Sequence, residues 1–178
     1  MEFGLVLRTF ADFFEREKIR YSLVGGLAMQ AWGLSRLTRD ADFAVDFSAS
    51  AHVIAFAESL GYETIHVSPG YSNHVHDGDL GRVDFLYLQG TTAERVLSTA
   101  VPKSVFPDIE VPVARPEILA AMKGFAMKNR PMRVLLDSRD VEFLMNLPET
   151  DTEAVRDYYS RLGLLELLDA IRRNSGGR

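Results

Sequence analysis

The chain has 178 residues, enough for one domain or for one domain with a small helical extension. Hydrophobic residues make up 47 % and aromatic residues 10 %, which argues against disorder, and the absence of cysteine excludes disulfides, thiolate metal sites and cysteine nucleophiles. The formal net charge of −5 disfavours non-specific adhesion to nucleic acid but leaves room for a local basic patch.

The first segment places Leu5, Phe10, Phe13 and Phe14 at helical spacing with charges between them. Tyr21–Val24 is short and apolar and ends in Gly25-Gly26, a buried-strand pattern. Leu27–Trp32 reads as helix, ended by Gly33. Asp40–Phe47 alternates, so Phe43, Val45 and Phe47 are expected to face a core. Ser48 or Ser50 is the expected cap of a helix running to about Leu60. Tyr62–Val67 and Tyr71–His76 read as strands, Asp77-Gly78 as a turn, and Gly81–Leu88 as a strong strand. Thr91 and Thr92 are expected to cap a short helix through Leu97, and Val101–Val113, rich in Val and Pro, reads as edge strands or loops.

From Pro116 the pattern becomes helical, with Ile118, Leu119, Met122, Phe125 and Ala126 as the expected apolar stripe. A second helix follows Pro131, and Thr150 with Glu153 spells a capping box for a third. Gly163 separates it from a Leu-rich last helix, and Asn174–Arg178 reads as a frayed tail. The expected organisation is an α/β core over 1–114 and a C-terminal helical region over 115–178, packed on that core. No apolar run approaches the ~20 residues of a membrane helix. The N-terminus lacks the basic-then-apolar order of a signal peptide. The expectation is a soluble, cytoplasmic chain with no membrane partner.

Asp40 and Asp42 have the same strand parity, so both carboxylates point one way. Side by side they repel unless a cation lies between them, and Mg²⁺ takes oxygen ligands of this kind. The alternative is a solvated strand with two surface acids. Asp84 sits among apolar residues in Arg82–Leu88, where a lone buried carboxylate is costly without a cation or donors. An ion pair with Arg82 would also satisfy it. Together the three acids supply the ligand count of a two-ion site.

Gly25-Gly26 between strand and helix would let a phosphate approach backbone N–H groups, or would simply make a tight turn. Arg36 and Thr38 share the parity of Asp40 and Asp42, and if the strand starts early all four line one face. Lys123 and Arg130 fall on one helical stripe off the apolar face, as phosphate ligands or as a solvated face. Asp137 and Asp140 are placed to pair with Arg133 or Lys123. His74 and His76 share a strand face beside a turn, where exposed histidine is ordinary, and no third neutral ligand accompanies them.

In order, Leu23-Val-Gly-Gly-Leu-Ala28, Gly33-Leu-Ser-Arg-Leu-Thr-Arg-Asp-Ala-Asp-Phe43 and Arg82-Val-Asp-Phe85 resemble the DNA polymerase β-like nucleotidyltransferase superfamily. The likeness is nearest to small prokaryotic members related to abortive-infection toxins, and it covers roughly residues 20 to 88. Arg115–Lys123, with Asp137 and Asp140 beyond, more loosely resembles the helical region of such proteins. The resemblance implies a mixed sheet followed by helices. It also implies two Mg²⁺ held by Asp40, Asp42 and Asp84, and a nucleoside triphosphate such as ATP bound by Gly25, Gly26, Arg36, Thr38 and Lys123. A nucleoside monophosphate would pass to an acceptor hydroxyl, on a tRNA 3′ end or a protein, with pyrophosphate leaving. A toxin with an antitoxin partner fits the same likeness. The rival expectations are a nucleotide-binding or interaction protein that keeps the fold without turnover, and a plain α/β domain with surface acids. Lys123, Lys128, Arg130 and Arg133, in a span without acids, are the expected basic surface for an RNA backbone.

Overall fold

The protein is described by a computed structural model covering residues 1–175. The chain divides into two compact units, Met1–Ala114 and a second that begins at Arg115.

The first unit is built on one seven-stranded mixed sheet. Its strands are β1 (Tyr21–Val24), β2 (Asp40–Asp46), β3 (Glu63–Ser68), β4 (Tyr71–Val75), β5 (Arg82–Leu88), β6 (Val101–Phe106) and β7 (Ile109–Val113). Their spatial order is β3-β4-β5-β2-β1-β7-β6. The neighbours β2/β5 and β1/β7 run parallel, and the remaining pairs are antiparallel. Four helices accompany the sheet: α1 (Phe3–Arg16), α2 (Gly25–Ala31), α3 (Ser50–Ser59) and α4 (Gly90–Leu97).

The alternation of β2 and β5 sets the two faces. Odd positions Phe43, Val45, Val83, Phe85 and Tyr87 are buried. Phe43 and Phe85 are register partners and stack with ring centroids 5.8 Å apart. Phe10 and Phe14 of α1 pack on this pair, and Phe13 stacks on Phe56 of α3 at 3.8 Å. Each fully buried phenylalanine contributes roughly 1.5–3 kcal/mol, so this aromatic core holds β2 and β5 in register. The even positions Asp40, Asp42 and Asp84 are thereby left on the other face.

The second unit contains α5 (Pro116–Asn129), α6 (Val134–Met145), α7 (Thr152–Leu162) and α8 (Leu165–Ser175). Leu119, Ala120, Met127, Val141, Leu144, Val155, Tyr159 and Leu168 form its core. Gly124 allows α5 and α7 to meet closely, because a Cβ there would lie 2.8 Å from the Tyr159 ring. The Tyr159 hydroxyl donates to the Ala120 carbonyl at 3.1 Å. Among the described residues, no helix is long and apolar enough to cross a membrane.

Several local expectations are corrected. Leu5 is exposed, and α1 buries Val6 and Leu7 instead. Phe47 lies beyond the end of β2 in a 3₁₀ turn and is exposed. That turn is capped by Asp46, whose carboxylate accepts from Ser48 N–H; neither Ser48 nor Ser50 caps α3. Thr91 and Thr92 fall inside α4, whose cap position is Gln89. Asp151 caps α7 through Ala154 N–H, while Thr150 donates to the Leu144 carbonyl. Only β6 of the Val101–Val113 pair is an edge strand, since β7 pairs on both sides. The buried face of α5 is rotated from the expected stripe: Phe125 is exposed, and Leu119, Ala120, Lys123, Gly124 and Met127 are buried. Asn174 and Ser175 belong to α8, and the rest of the expected tail lies outside the described residues.

Candidate active site

Asp42 and Asp84 are register partners across the parallel pair β2/β5. Asp40 is one alternation earlier on the same face. Each of the three offers a carboxylate oxygen, and these oxygens lie within 4.8 Å of one another. Asp84 is buried, and Asp40 and Asp42 are half-buried. Carboxylate oxygens are the hard donors that Mg²⁺ takes, so the chemistry of the donor set fits a divalent cation.

Asp40 and Asp84 are held by neighbouring side chains. The Thr38 hydroxyl donates to Asp40 Oδ1 at 3.0 Å and lies 3.3 Å from the Asp40 carbonyl. Strand β2 begins at Asp40, so Arg36 and Thr38 belong to the preceding loop rather than to an early strand. Thr38 nevertheless reaches the site. The Arg36 carbonyl accepts from Gln30 Nε2 at 2.7 Å, which ties this loop to α2.

The turn entering α2 explains the two glycines. Gly25 has φ +65°, and a Cβ there would lie 2.0 Å from Asp42 Oδ2. A Cβ on Gly26 would lie 2.4 Å from Thr38 Oγ1. Only glycine at both positions lets the turn close against the acid and the threonine.

Asp84 is held by three side chains, Tyr71, Asn73 and Arg82. Its Oδ2 accepts from the Tyr71 hydroxyl at 2.7 Å and from Arg82 Nη2 at 3.0 Å. Its Oδ1 accepts from Arg82 Nε at 2.9 Å and Asn73 Nδ2 at 3.2 Å. Arg82 is therefore a two-pronged ion-pair partner of Asp84, and its guanidinium is held further in the charged form by that carboxylate. Burial, then the hydrogen bond to Asp84, pushes the Tyr71 hydroxyl up to about 12, so it stays a proton donor. Sequence reasoning passed over Tyr71 and Asn73. The available signal was their odd spacing on a strand next to β5, which brings both to the Asp84 face once the antiparallel register is known.

His74 and His76 do not form a pair. His74 is fully buried, contrary to the exposed reading, and lies between Thr64 Oγ1 at 3.0 Å and Ser72 Oγ at 2.8 Å. Burial lowers its pKa. Its role is to satisfy a polar chain that continues from Ser72 to the Tyr87 hydroxyl at 2.7 Å.

In the helical unit, Lys123 is buried on α5. Its ammonium contacts Asp137 Oδ1 at 2.9 Å and Asp140 Oδ2 at 2.6 Å. Arg133 Nε donates to Asp137 Oδ2 at 2.7 Å. Burial alone would raise the Asp137 pKa, but hydrogen bonds from Arg133 and Lys123 outweigh it and hold the carboxyl below its ordinary value. Two of the four cations expected to form a basic surface are thus engaged by acids of their own unit. Lys128 and Arg130 are exposed.

No protein-family model matches the sequence, and no curated protein matches it. Solved structures do match. The crystal structure of the lincomycin-bound lincosamide antibiotic adenylyltransferase LnuA aligns with a TM-score of 0.56 at 20 % identity, covering 79 % of this chain and 95 % of that one. The solution structure of the antibiotic-resistance factor ANT(2'')-Ia aligns at 0.60 with 15 % identity, covering 100 % and 94 %. The crystal structure of ANT(2'')-Ia with adenylyl-2''-tobramycin aligns at 0.56 with 13 % identity, covering 97 % and 99 %. The seven-stranded mixed sheet followed by helices is the polymerase β-like nucleotidyltransferase fold with a helical extension.

Proposed function

We propose that the chain is a Mg²⁺-dependent nucleotidyltransferase that moves a nucleoside monophosphate from a nucleoside triphosphate to an acceptor hydroxyl. The observation that carries this reading is the convergence of Asp40, Asp42 and Asp84 on one sheet face, within 4.8 Å. Fold alone would not support it, since one fold hosts many chemistries.

Asp40, Asp42 and Asp84 are the residues to hold two Mg²⁺. When bound, such ions neutralise the triphosphate and lower the pKa of the acceptor hydroxyl. Thr38 orients Asp40, and Tyr71, Asn73 and Arg82 orient Asp84, so the carboxylates need little reorganisation. Gly25 and Gly26 are proposed to offer backbone N–H groups to the phosphates, and Arg36 a neutralising charge. Lys123 is proposed to reach the triphosphate as well. An ammonium has three donors, and Asp137 and Asp140 engage two.

The acceptor we favour is a small polyhydroxyl compound. Two observations support this. Asp137 and Asp140 offset the charges of Lys123 and Arg133, which thins the net positive surface a polyanion would need without removing the third Lys123 donor. The fold neighbours above are an antibiotic adenylyltransferase and an antibiotic-resistance factor. The motif resemblance supports a second reading, a cytoplasmic toxin that modifies a tRNA 3′ end or a protein hydroxyl and is held by an antitoxin.

The test is to incubate the protein with Mg²⁺, each labelled nucleoside triphosphate, and either aminoglycoside and lincosamide panels or whole-cell lysate. A small product heavier by one nucleoside monophosphate, with pyrophosphate released, is the expected outcome. Label lost to ribonuclease or to protease instead would establish the second reading. No transfer from any nucleotide would overturn the enzymatic reading and leave nucleotide binding without turnover.

A further inference from the structure

Arg82 stands at an unusual place for a cation. It is the register partner of Asp40, precedes Asp84 by one alternation on the same strand, and so shares the face of all three acids. Its guanidinium meets both oxygens of Asp84, at 2.9 and 3.0 Å. A third contact, from Nη2 to the Tyr71 hydroxyl at 3.3 Å, fixes it further. Any cation held by the three carboxylates must therefore share Asp84 with a permanent positive charge, because guanidinium does not deprotonate in proteins.

We propose that Arg82 is a built-in attenuator of the metal site, one that orients Asp84 while weakening the binding of a bare divalent cation. The proposal rests on the metal-site reading above and goes beyond it by assigning Arg82 a sign. A residue that only positioned Asp84 would strengthen ion binding, and its removal would weaken it. A residue whose charge dominates has the opposite effect. A doubly charged ion and a guanidinium sharing one carboxylate repel, even through water, by enough to weaken ion binding about tenfold. Tyr71 and Asn73 remain to orient Asp84 when Arg82 is replaced, so loss of the charge outweighs loss of the orientation.

The experiment is a Mn²⁺ titration at low ionic strength, without nucleotide, with free Mn²⁺ read by electron paramagnetic resonance. Arg82→Gln is expected to bind Mn²⁺ about tenfold more tightly than the wild type. Arg82→Lys, which keeps the charge, is expected within about threefold of the wild type. Tyr71→Phe removes a donor to Asp84 without changing charge and is expected not to tighten binding. If Arg82→Gln does not fold, Arg82→Met makes the same comparison. Binding by the wild type with an unchanged or weaker constant in the neutral variant overturns the proposal alone. Tightening by Tyr71→Phe equal to that of Arg82→Gln overturns it too, since freed oxygens rather than charge would then be responsible. No Mn²⁺ binding by the wild type or any variant overturns the metal-site reading and this proposal with it.

Discussion

At the scale of single residues, the site depends on side chains that do little alone and much together. Asp42→Asn keeps the shape of Asp42 and removes one ligand charge. It is expected to lower nucleotidyl transfer by at least about 10²-fold with an unchanged far-ultraviolet circular dichroism spectrum. Gly25→Ala meets two penalties, a φ of +65° and a Cβ lying 2.0 Å from Asp42 Oδ2. It should displace Asp42 and weaken Mn²⁺ binding in the same titration; an unchanged constant would show that the turn yields instead. Lys123→Ala leaves Asp137 and Asp140 buried without their shared cation. A loss of about 3–5 kcal/mol in a urea titration is expected. Lys128→Ala, on the exposed side of the same helix, should change stability by under about 0.5 kcal/mol. Equal effects of the two would contradict the buried triad.

At the scale of elements, parity in β2 and β5 was legible because a strand has a strict period of two, and the aromatic core on the odd positions leaves no choice for the even ones. The face of α5 was not legible. Phe125 and Met122 look like core and Lys123 like surface, yet the helix turns Lys123 inward because Asp137 and Asp140 on α6 offset its charge. A pattern of apolar residues cannot register a partner that arrives from another helix. The α5–α7 contact gives a further test. Gly124→Ala places a methyl group 2.8 Å from the rigid Tyr159 ring, and overpacking of this kind costs about 1–3 kcal/mol. The caps were not legible either: Asp151 rather than Thr150 caps α7, because both residue types suit that role, and α3 has no side-chain cap, since a 3₁₀ turn capped by Asp46 leads into it.

At the scale of the whole molecule, stability is linked to metal and to pH. A cation that binds the folded state raises stability with its concentration. Millimolar Mg²⁺ should therefore raise the Tm of the wild type and leave that of Asp42→Asn unchanged; equal shifts would disconnect Mg²⁺ from the acids. Asp137 and Asp46 both have depressed pKa values in the folded chain, Asp46 chiefly through its hydrogen bond from Arg20. Their contribution is fully present above the unfolded value near pH 4 and is lost as pH falls through the lower folded values. The urea midpoint is thus expected to be flat with respect to these groups from pH 7 to 5 and to fall below about pH 4. Asp137→Asn should fall less steeply. Trp32, the single tryptophan, is buried with Nε1 donating to the Ala114 carbonyl, so its fluorescence follows the unfolding of the first unit.

What the sequence by itself determined is the alternation that puts Asp40 and Asp42 on one face, the strand that carries Asp84, and the order of glycine turn, acidic strand and third acid. Those are local properties, fixed by backbone period and by the conformational demands of glycine. Only the tertiary structure decided that β2 and β5 are neighbours in parallel register, which sets Asp42 opposite Asp84. The Arg82–Asp84 ion pair, two residues apart on one strand, was open to sequence reasoning; the structure alone decided that Tyr71 and Asn73 of β4 join it, and that Lys123 is buried against both Asp137 and Asp140. Each of these tertiary pairings joins segments distant in sequence, and it depends on register and on burial, to which a one-dimensional pattern is blind.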